Sequence, residues 1–189
     1  MSSTIANLKF QKKEIWSIPN LMGYFRVLLI PVFCWFFLTA ETAGDYYRAG
    51  AVVIVSTLTD FLDGLIARKF HMITELGKFI DPVADKLTHG ALAGCLAGKF
   101  PLLWLVFGAM VLKEGFMLLM GWLKLKEGKK LNGAMWYGKV CTALLFIVMC
   151  MLLFWVNIPV ALADGLILLC LAFMIFTWIM YAGAFRKMG

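Results

Sequence analysis

The chain has 189 residues, 62% of them hydrophobic and 15% charged. Soluble domains average about 45–50% apolar and about 25% charged residues, so this composition excludes an ordinary soluble domain and predicts a chain that lies in a lipid bilayer. A net charge of +7 could indicate nucleic-acid binding in a soluble protein. Here the basic residues mostly flank apolar stretches, which is typical of a membrane protein. We therefore expect membrane lipids as partners, and no nucleic acid.

The first predicted element is a short amphipathic helix within residues 1–16, a polar and basic segment that also carries Leu8, Phe10, Ile15 and Trp16. Such a segment is typical of a helix that lies on the membrane surface. A floppy N-terminal tail is the alternative. A secretory signal peptide is disfavoured, because the apolar stretch that follows is too long for one.

Six further stretches are apolar enough for helices that cross a bilayer, each of which takes about 20 residues. They are residues 18–39, 48–69, 78–97, 101–123, 136–156 and 159–182. The alternation of polar and apolar residues that is typical of strands is absent. The predicted fold class is an all-α integral membrane protein, in which residues 1–189 form one domain with six transmembrane helices.

The basic residues predict the orientation of these helices. With six spans both termini lie on one side, and the loops and termini of that side hold most of the Lys and Arg residues. The opposite loops hold only Arg48 and Lys99. Cytoplasmic loops are enriched in Lys and Arg, so we expect both termini in the cytoplasm.

Four aspartates lie within or beside the second and third spans, where each charged residue costs ~2.5–3.5 kcal/mol at the bilayer centre. Asp60 and Asp63 share one face of a helix, and Asp81 and Asp85 share one face of the next helix. A short turn joins the two helices, so we expect the four carboxylates to converge near the cytoplasmic ends. Such a cluster repels itself unless cations bind to it, and its oxygen ligands favour Mg²⁺ or Mn²⁺.

The neighbouring residues indicate a phosphate-bearing ligand. Gly64 and Ala67 leave space for a close approach to the backbone. Arg68, one turn beyond the aspartates, can donate two hydrogen bonds to a phosphate. Gly77 continues the face of Asp81 and Asp85 on the next helix.

The whole stretch resembles the signature of the CDP-alcohol phosphatidyltransferase family at every position: Asp60-x2-Asp63-Gly64-x2-Ala67-Arg68-x8-Gly77-x3-Asp81-x3-Asp85. The resemblance implies an enzyme that transfers the phosphatidyl group of CDP-diacylglycerol to an alcohol and releases CMP, in phospholipid synthesis.

The same resemblance implies roles for the residues of this signature. Asp60, Asp63 and Asp81 would hold two metal ions, with Asp85 touching the site and acting as the general base. Gly64, Ala67, Arg68 and Gly77 would border the CDP-lipid. It also implies a homodimer. With the orientation that the basic residues predict, we expect the protein in a bacterial-type plasma membrane with its active site facing the cytoplasm.

The acceptor alcohol is predicted from weaker features. The opening Pro19-Asn20 and the segment around Asp81 are similar to phosphatidylglycerophosphate synthases, which implies glycerol 3-phosphate. Its phosphate would bind Arg26, Lys113 and Lys139. The chain has Lys113-Glu114 where those synthases usually carry Arg-Glu, Gly121 near the position of a further arginine, and Cys141 in place of a second lysine. Because these departures remove positive charge, phosphatidylglycerol as acceptor, giving cardiolipin, is the alternative.

Two other classes remain open. Carboxylates inside a membrane also line the pathways of divalent-cation transporters. Transporters more often place them at the midplane on broken helices within repeated halves, and we see no internal repeat. A membrane scaffold would not need the aspartates.

Overall fold

The computed structural model describes residues 16–70, 72, 74–126 and 135–187, and all regular structure in these ranges is helical. The helices, in chain order, are α1 (Ile18–Leu38), α2 (Ala43–Lys69), α3 (Glu75–Ala97), α4 (Leu103–Lys126), α5 (Trp136–Phe154) and α6 (Val160–Lys187). The all-α prediction is confirmed for the described ranges. The predicted surface helix lies outside them except for Trp16, which is exposed in a turn.

Among the residues that the structure describes, five helices are long and apolar enough to cross a membrane: Ile18–Leu38, Ala43–Lys69, Leu103–Leu123, Trp136–Phe154 and Val160–Arg186. Large apolar side chains are exposed on them, among them Trp35, Leu58 and Ile179. Exposed apolar surface on this scale indicates contact with lipid. The protein is therefore an integral membrane protein. Helix α3 is long enough but carries charged residues, including Asp81 and Asp85, along its first half.

The second helix begins five residues before the predicted start at Arg48. Thr42 and Asp45 form a capping box, in which the Thr42 hydroxyl accepts a hydrogen bond from the Asp45 backbone and the Asp45 carboxylate accepts one from the Thr42 backbone. This pair satisfies backbone groups that would otherwise lack partners at a helix start. Arg48 therefore lies inside the helix, paired with Asp45 at 3.0 Å, and the prediction that placed it at the boundary was wrong.

The chain divides into two compact units, Met1–Ala91 and Leu92–Gly189, and the division falls within α3. The prediction of a single domain stays a prediction. In the first unit α1 packs against α2, with Phe33 and Val53 buried and the rings of Phe37 and Tyr46 in edge-to-face contact at 5.3 Å. This packing holds the polar faces of the two helices together.

In the second unit α6 packs against α4 and α5. Tyr137, Tyr181 and Phe185 form a buried aromatic cluster, and the rings of Tyr137 and Tyr181 are 4.8 Å apart. The Tyr181 hydroxyl accepts a hydrogen bond from the backbone of Met135 at 3.2 Å, just before α5 begins. The cluster therefore fixes the start of α5 against α6.

Candidate active site

The side chain of Arg26 on α1 lies at the centre of four carboxylates. Its Nη1 atom contacts Asp60 and donates a hydrogen bond to Oδ1 of Asp85 at 2.8 Å. Its Nη2 atom donates to Oδ1 of Asp81 at 3.4 Å, and its Nε atom lies 3.6 Å from Oδ2 of Asp63. One guanidinium thus pairs with all four aspartates, which we call the carboxylate cluster. The predicted convergence is confirmed.

Local helix geometry explains how each pair of aspartates reaches the cluster. Asp60 and Asp63 stand at i and i+3 on α2, and Asp81 and Asp85 stand at i and i+4 on α3. These spacings place each pair on a single helix face. The two faces meet at Arg26, which lies on a third helix.

A glycine on α1 allows α3 to approach Arg26. A Cβ atom at Gly23 would lie 2.8 Å from Cγ2 of Ile80, closer than side chains tolerate, and 3.7 Å from Oδ1 of Asp81. Gly23 precedes Arg26 by three residues, so the two lie on neighbouring positions of one helix face. The absence of a side chain at Gly23 therefore brings Asp81 within reach of the guanidinium.

Part of the carboxylate cluster is buried and part of it is exposed. The side chains of Arg26 and Asp63 are 2% and 5% exposed, whereas those of Asp60, Asp81 and Asp85 are 44%, 49% and 50% exposed. Within the described residues, Oδ2 of Asp63 and Nε of Arg26 have no hydrogen-bond partner. Because the side chains of Asp60, Asp81 and Asp85 are partly exposed, a ligand can reach these three carboxylates directly.

On α2, Gly64 directly follows Asp63, and Arg68 lies one turn beyond Gly64. The Nε atom of Arg68 donates to the backbone oxygen of Gly64 at 2.9 Å, and the arginine is exposed. A Cβ at Gly64 would lie 3.7 Å from Nη2 of Arg68. Ala67 is half-buried beside them. Three of the residues predicted to border the CDP-lipid therefore form one small patch on α2.

The fourth of those residues, Gly77, is buried in the contact between α1 and α3. A Cβ atom there would lie 2.8 Å from Oδ1 of Asn20 and 3.0 Å from Oγ1 of Thr74. The Thr74 hydroxyl donates to Asn20 at 3.0 Å and accepts from the Gly77 backbone at 2.9 Å. This arrangement supports a packing role for Gly77, and its predicted contact with the lipid substrate stays a prediction.

Sequence reasoning missed the roles of Asn20 and Thr74, and it assigned Arg26 to the acceptor alone. A signal for Arg26 was present: an arginine inside an apolar span needs carboxylate partners, and the four aspartates were the carboxylates within or beside the next two spans. Asn20 carried a weaker signal, as a polar residue at the start of an apolar helix.

The chemistry of the carboxylate cluster fits divalent metal ions. Among the described residues no three His, Cys, Asp or Glu side chains are grouped closely enough to hold a metal ion. In this conformation Arg26 stands between the aspartates. The donors are all carboxylate oxygens, which Mg²⁺ and Mn²⁺ prefer, and no described residue donates a hydrogen bond to the buried Oδ2 of Asp63. Their role as metal ligands stays a prediction.

The other two residues predicted to bind the acceptor belong to the second unit. Lys113 on α4 is buried and forms an ion pair with Glu114 at 3.0 Å. Lys139 lies in the first turn of α5 and is exposed. The predicted contact of both lysines with the acceptor phosphate stays a prediction.

The profile of the CDP-alcohol phosphatidyltransferase family matches residues 16–185, nearly the whole chain. The chain belongs to this family. The predicted family, and with it the prediction of a phosphatidyltransferase, is confirmed. Membership favours the transferase over the cation transporter and the membrane scaffold.

Three relatives refine the comparison. A CDP-diacylglycerol–glycerol-3-phosphate 3-phosphatidyltransferase of Pseudomonas fluorescens is 40% identical over 96 residues, 51% of this chain and 49% of that protein. An Escherichia coli K12 protein of the same name is 31% identical over 168 residues, 87% of this chain and 91% of that protein. A cardiolipin synthase (CMP-forming) of Streptomyces coelicolor is 28% identical over 141 residues, 73% of this chain and 65% of that protein.

Proposed function

We propose that this protein transfers the phosphatidyl group of CDP-diacylglycerol to glycerol 3-phosphate and releases CMP. The observation that carries the proposal is the convergence of four carboxylates from two helices, three of them open to a ligand. Glycerol 3-phosphate is favoured as acceptor because the E. coli relative named for that reaction aligns over 91% of its own length.

In this proposal Asp60, Asp63 and Asp81 would hold two Mg²⁺ or Mn²⁺ ions, with Asp85 touching the same site. When bound, such ions neutralise the diphosphate and stabilise the leaving CMP. Asp85 takes the proton of the acceptor hydroxyl. The hydroxyl oxygen forms a bond to the lipid-side phosphorus, and the bond from that phosphorus to the CMP oxygen breaks. Arg68 and the backbone at Gly64 border the cytidine diphosphate. Gly64 directly follows Asp63, and Arg68 donates to the Gly64 backbone oxygen, which supports the assignment.

We further propose that α3 is the sixth transmembrane helix, that both termini lie in the cytoplasm and that the site faces the cytoplasm. Helix α3 has 23 residues, enough to cross the apolar core. Its aspartates pair with Arg26, which lowers the cost of placing them near lipid. The homodimer that the family resemblance implies is kept as a proposal.

The test uses the purified full chain in detergent with CDP-diacylglycerol, Mg²⁺ and one alcohol at a time, and measures CMP release. We expect release with glycerol 3-phosphate. We expect Asp81→Asn to abolish it and Asp45→Asn to leave it nearly unchanged, because Asp45 lies near the other end of α2 and pairs with Arg48. Equal activity of the two variants would refute the proposed site.

Cardiolipin synthesis is the second candidate. The Streptomyces relative named for it aligns over 73% of this chain, and a cysteine, Cys141, stands where a second phosphate-binding lysine is expected. The same assay separates the candidates, because phosphatidylglycerol in place of glycerol 3-phosphate would then support CMP release. A wild-type protein that ignores glycerol 3-phosphate but uses phosphatidylglycerol would replace the first candidate with the second.

A further inference from the structure

We propose that Tyr181 on α6 is a positioning residue for the acceptor alcohol. Through the backbone of Met135 it fixes the first turn of α5, and with it the backbone of Lys139. The inference rests on the proposed transfer to glycerol 3-phosphate and on the predicted contact of Lys139 with the acceptor phosphate. It goes beyond both, because it assigns a role in acceptor binding to a buried side chain on another helix.

The start of α5 lacks a cap from its own side chains. Met135 is the N-cap residue, and its side chain makes no capping hydrogen bond. In a capping box, the side chain of the third helical residue accepts a hydrogen bond from the backbone N–H of the N-cap residue. The third helical residue of α5 is Gly138, which has no side chain. The N–H of Met135 therefore depends on a group from outside α5.

Tyr181 takes the place of this missing side chain. Its hydroxyl accepts the hydrogen bond from the Met135 backbone at 3.2 Å. A Cβ atom at Gly138 would collide with the same hydroxyl oxygen and would lie 3.0 Å from Cζ of the ring. The hydroxyl therefore occupies the space of a side chain at Gly138. It accepts the same kind of hydrogen bond that Asp45 accepts in the capping box of α2.

Backbone hydrogen bonds connect Tyr181 to Lys139 through a single residue. The backbone oxygen of Met135 accepts from the N–H groups of Gly138 at 3.0 Å and Lys139 at 3.3 Å. Met135 thus contacts Tyr181 through its N–H group and Lys139 through its carbonyl group. Tyr181 is buried and Lys139 is exposed. The buried hydroxyl therefore helps to set the backbone position from which the exposed lysine extends.

The ring of Tyr181 is held in place independently of its hydroxyl. It packs edge-to-face against the ring of Tyr137, with centroids 4.8 Å apart, and Phe185 belongs to the same buried cluster. A phenylalanine ring can keep these contacts, because they are made by the ring and not by the hydroxyl. Tyr181→Phe therefore removes the hydrogen bond to the start of α5 and keeps the packing between α5 and α6.

The test measures CMP release by the purified full chain in detergent with Mg²⁺, varying one substrate at a time. Tyr181→Phe is expected to raise the half-saturating concentration of glycerol 3-phosphate roughly three- to tenfold, the usual effect of one hydrogen bond. The half-saturating concentration of CDP-diacylglycerol should stay nearly unchanged. Tyr137→Phe, which removes the neighbouring hydroxyl of the same cluster, is the matched control and should leave both concentrations nearly unchanged. An unchanged glycerol 3-phosphate requirement in Tyr181→Phe, or an equal shift for both substrates, would overturn the inference.

A double substitution shows whether Tyr181 acts through Lys139. Once Lys139→Ala has removed the lysine, Tyr181→Phe should cause little further increase in the half-saturating concentration of glycerol 3-phosphate, because the effects of coupled residues are not additive. An equal fold-increase with and without the lysine would mean that Tyr181 influences the acceptor independently of Lys139. That result would also overturn the inference.

Amide hydrogen exchange tests the hydrogen bond itself. In Tyr181→Phe the backbone amides from Met135 to Lys139 should exchange faster than in wild type, because the N-cap has lost its acceptor and the first turn opens more often. Amides in the middle of α6 should exchange as in wild type. Unchanged exchange at the start of α5 would mean that the hydroxyl does not hold this turn, and the inference would be wrong.

The Lys139→Ala variant distinguishes the inference from the proposed function. A wild-type protein that does not use glycerol 3-phosphate would refute the proposed acceptor. Lys139→Ala with an unchanged glycerol 3-phosphate requirement would refute the lysine contact, and the inference falls in either case. If wild type uses glycerol 3-phosphate and Lys139→Ala weakens its binding while Tyr181→Phe does not, only the inference is wrong.

Discussion

Replacement of Gly77 by alanine tests how α3 is positioned against α1. The new Cβ would lie 2.8 Å from Oδ1 of Asn20 and 3.0 Å from Oγ1 of Thr74. Neither atom can move freely, because Asn20 is 1% exposed and the two side chains are joined by a hydrogen bond at 3.0 Å. The Thr74 hydroxyl also accepts a hydrogen bond from the first turn of α3. The added methyl group must therefore displace α3 or break this contact.

The expected change in the free energy of unfolding is set by comparison with Gly94→Ala, a control substitution on the same helix. No described atom lies within 4 Å of the Cβ that this control would add. Alanine improves helix propensity at an interior position by up to ~1 kcal/mol, so the control should be neutral or stabilising. Overpacking costs about 1–3 kcal/mol, and only Gly77→Ala incurs it. We expect its free energy of unfolding to fall below that of Gly94→Ala by about 1–3 kcal/mol.

The assay is unfolding in detergent, followed by circular dichroism, together with CMP release. Because α3 carries Asp81 and Asp85, a displaced helix should also lower the maximal rate of Gly77→Ala. Equal stability of Gly77→Ala and Gly94→Ala would refute the packing argument. Unchanged stability with a higher half-saturating concentration of CDP-diacylglycerol would instead favour the predicted contact between Gly77 and the lipid substrate.

Three further predictions concern chemistry. Excess EDTA should stop CMP release, and full release in EDTA would contradict the metal requirement. Asp60→Ala and Asp81→Ala should each abolish CMP release, because each substitution removes a proposed ligand of the phosphate-binding ions. Asp85→Asn should slow transfer by roughly two to four decades while CDP-diacylglycerol binds nearly normally, and a near-normal rate would place the base elsewhere. Lys139→Ala should raise the half-saturating concentration of glycerol 3-phosphate roughly ten- to a hundredfold and leave that of CDP-diacylglycerol unchanged, since a charge-assisted contact contributes ~1.5–3 kcal/mol. A shift in both substrates would argue against a specific acceptor contact.

The helices and the two aspartate faces could be predicted because both depend on local spacing. Residues at i and i+3 or i+4 share a helix face wherever that helix packs. The sequence alone therefore places Asp60 with Asp63 on one face, and Asp81 with Asp85 on another. The earlier start of α2 was also available locally, in the Thr42-x-x-Asp45 pattern of a capping box. The capping-box pattern was overlooked, although the sequence contains it.

Only the tertiary structure decided what the aspartates face. Arg26 is 59 residues from Asp85, and Asn20 is 54 residues from Thr74. Helical periodicity extends over a few turns and carries no information about which face of a distant helix lies opposite. That choice depends on close packing between helices, which Gly77 permits here because it has no side chain to keep α1 and α3 apart. The sequence by itself therefore determined the family and the two acidic faces, whereas only the tertiary structure placed Arg26 among the four aspartates.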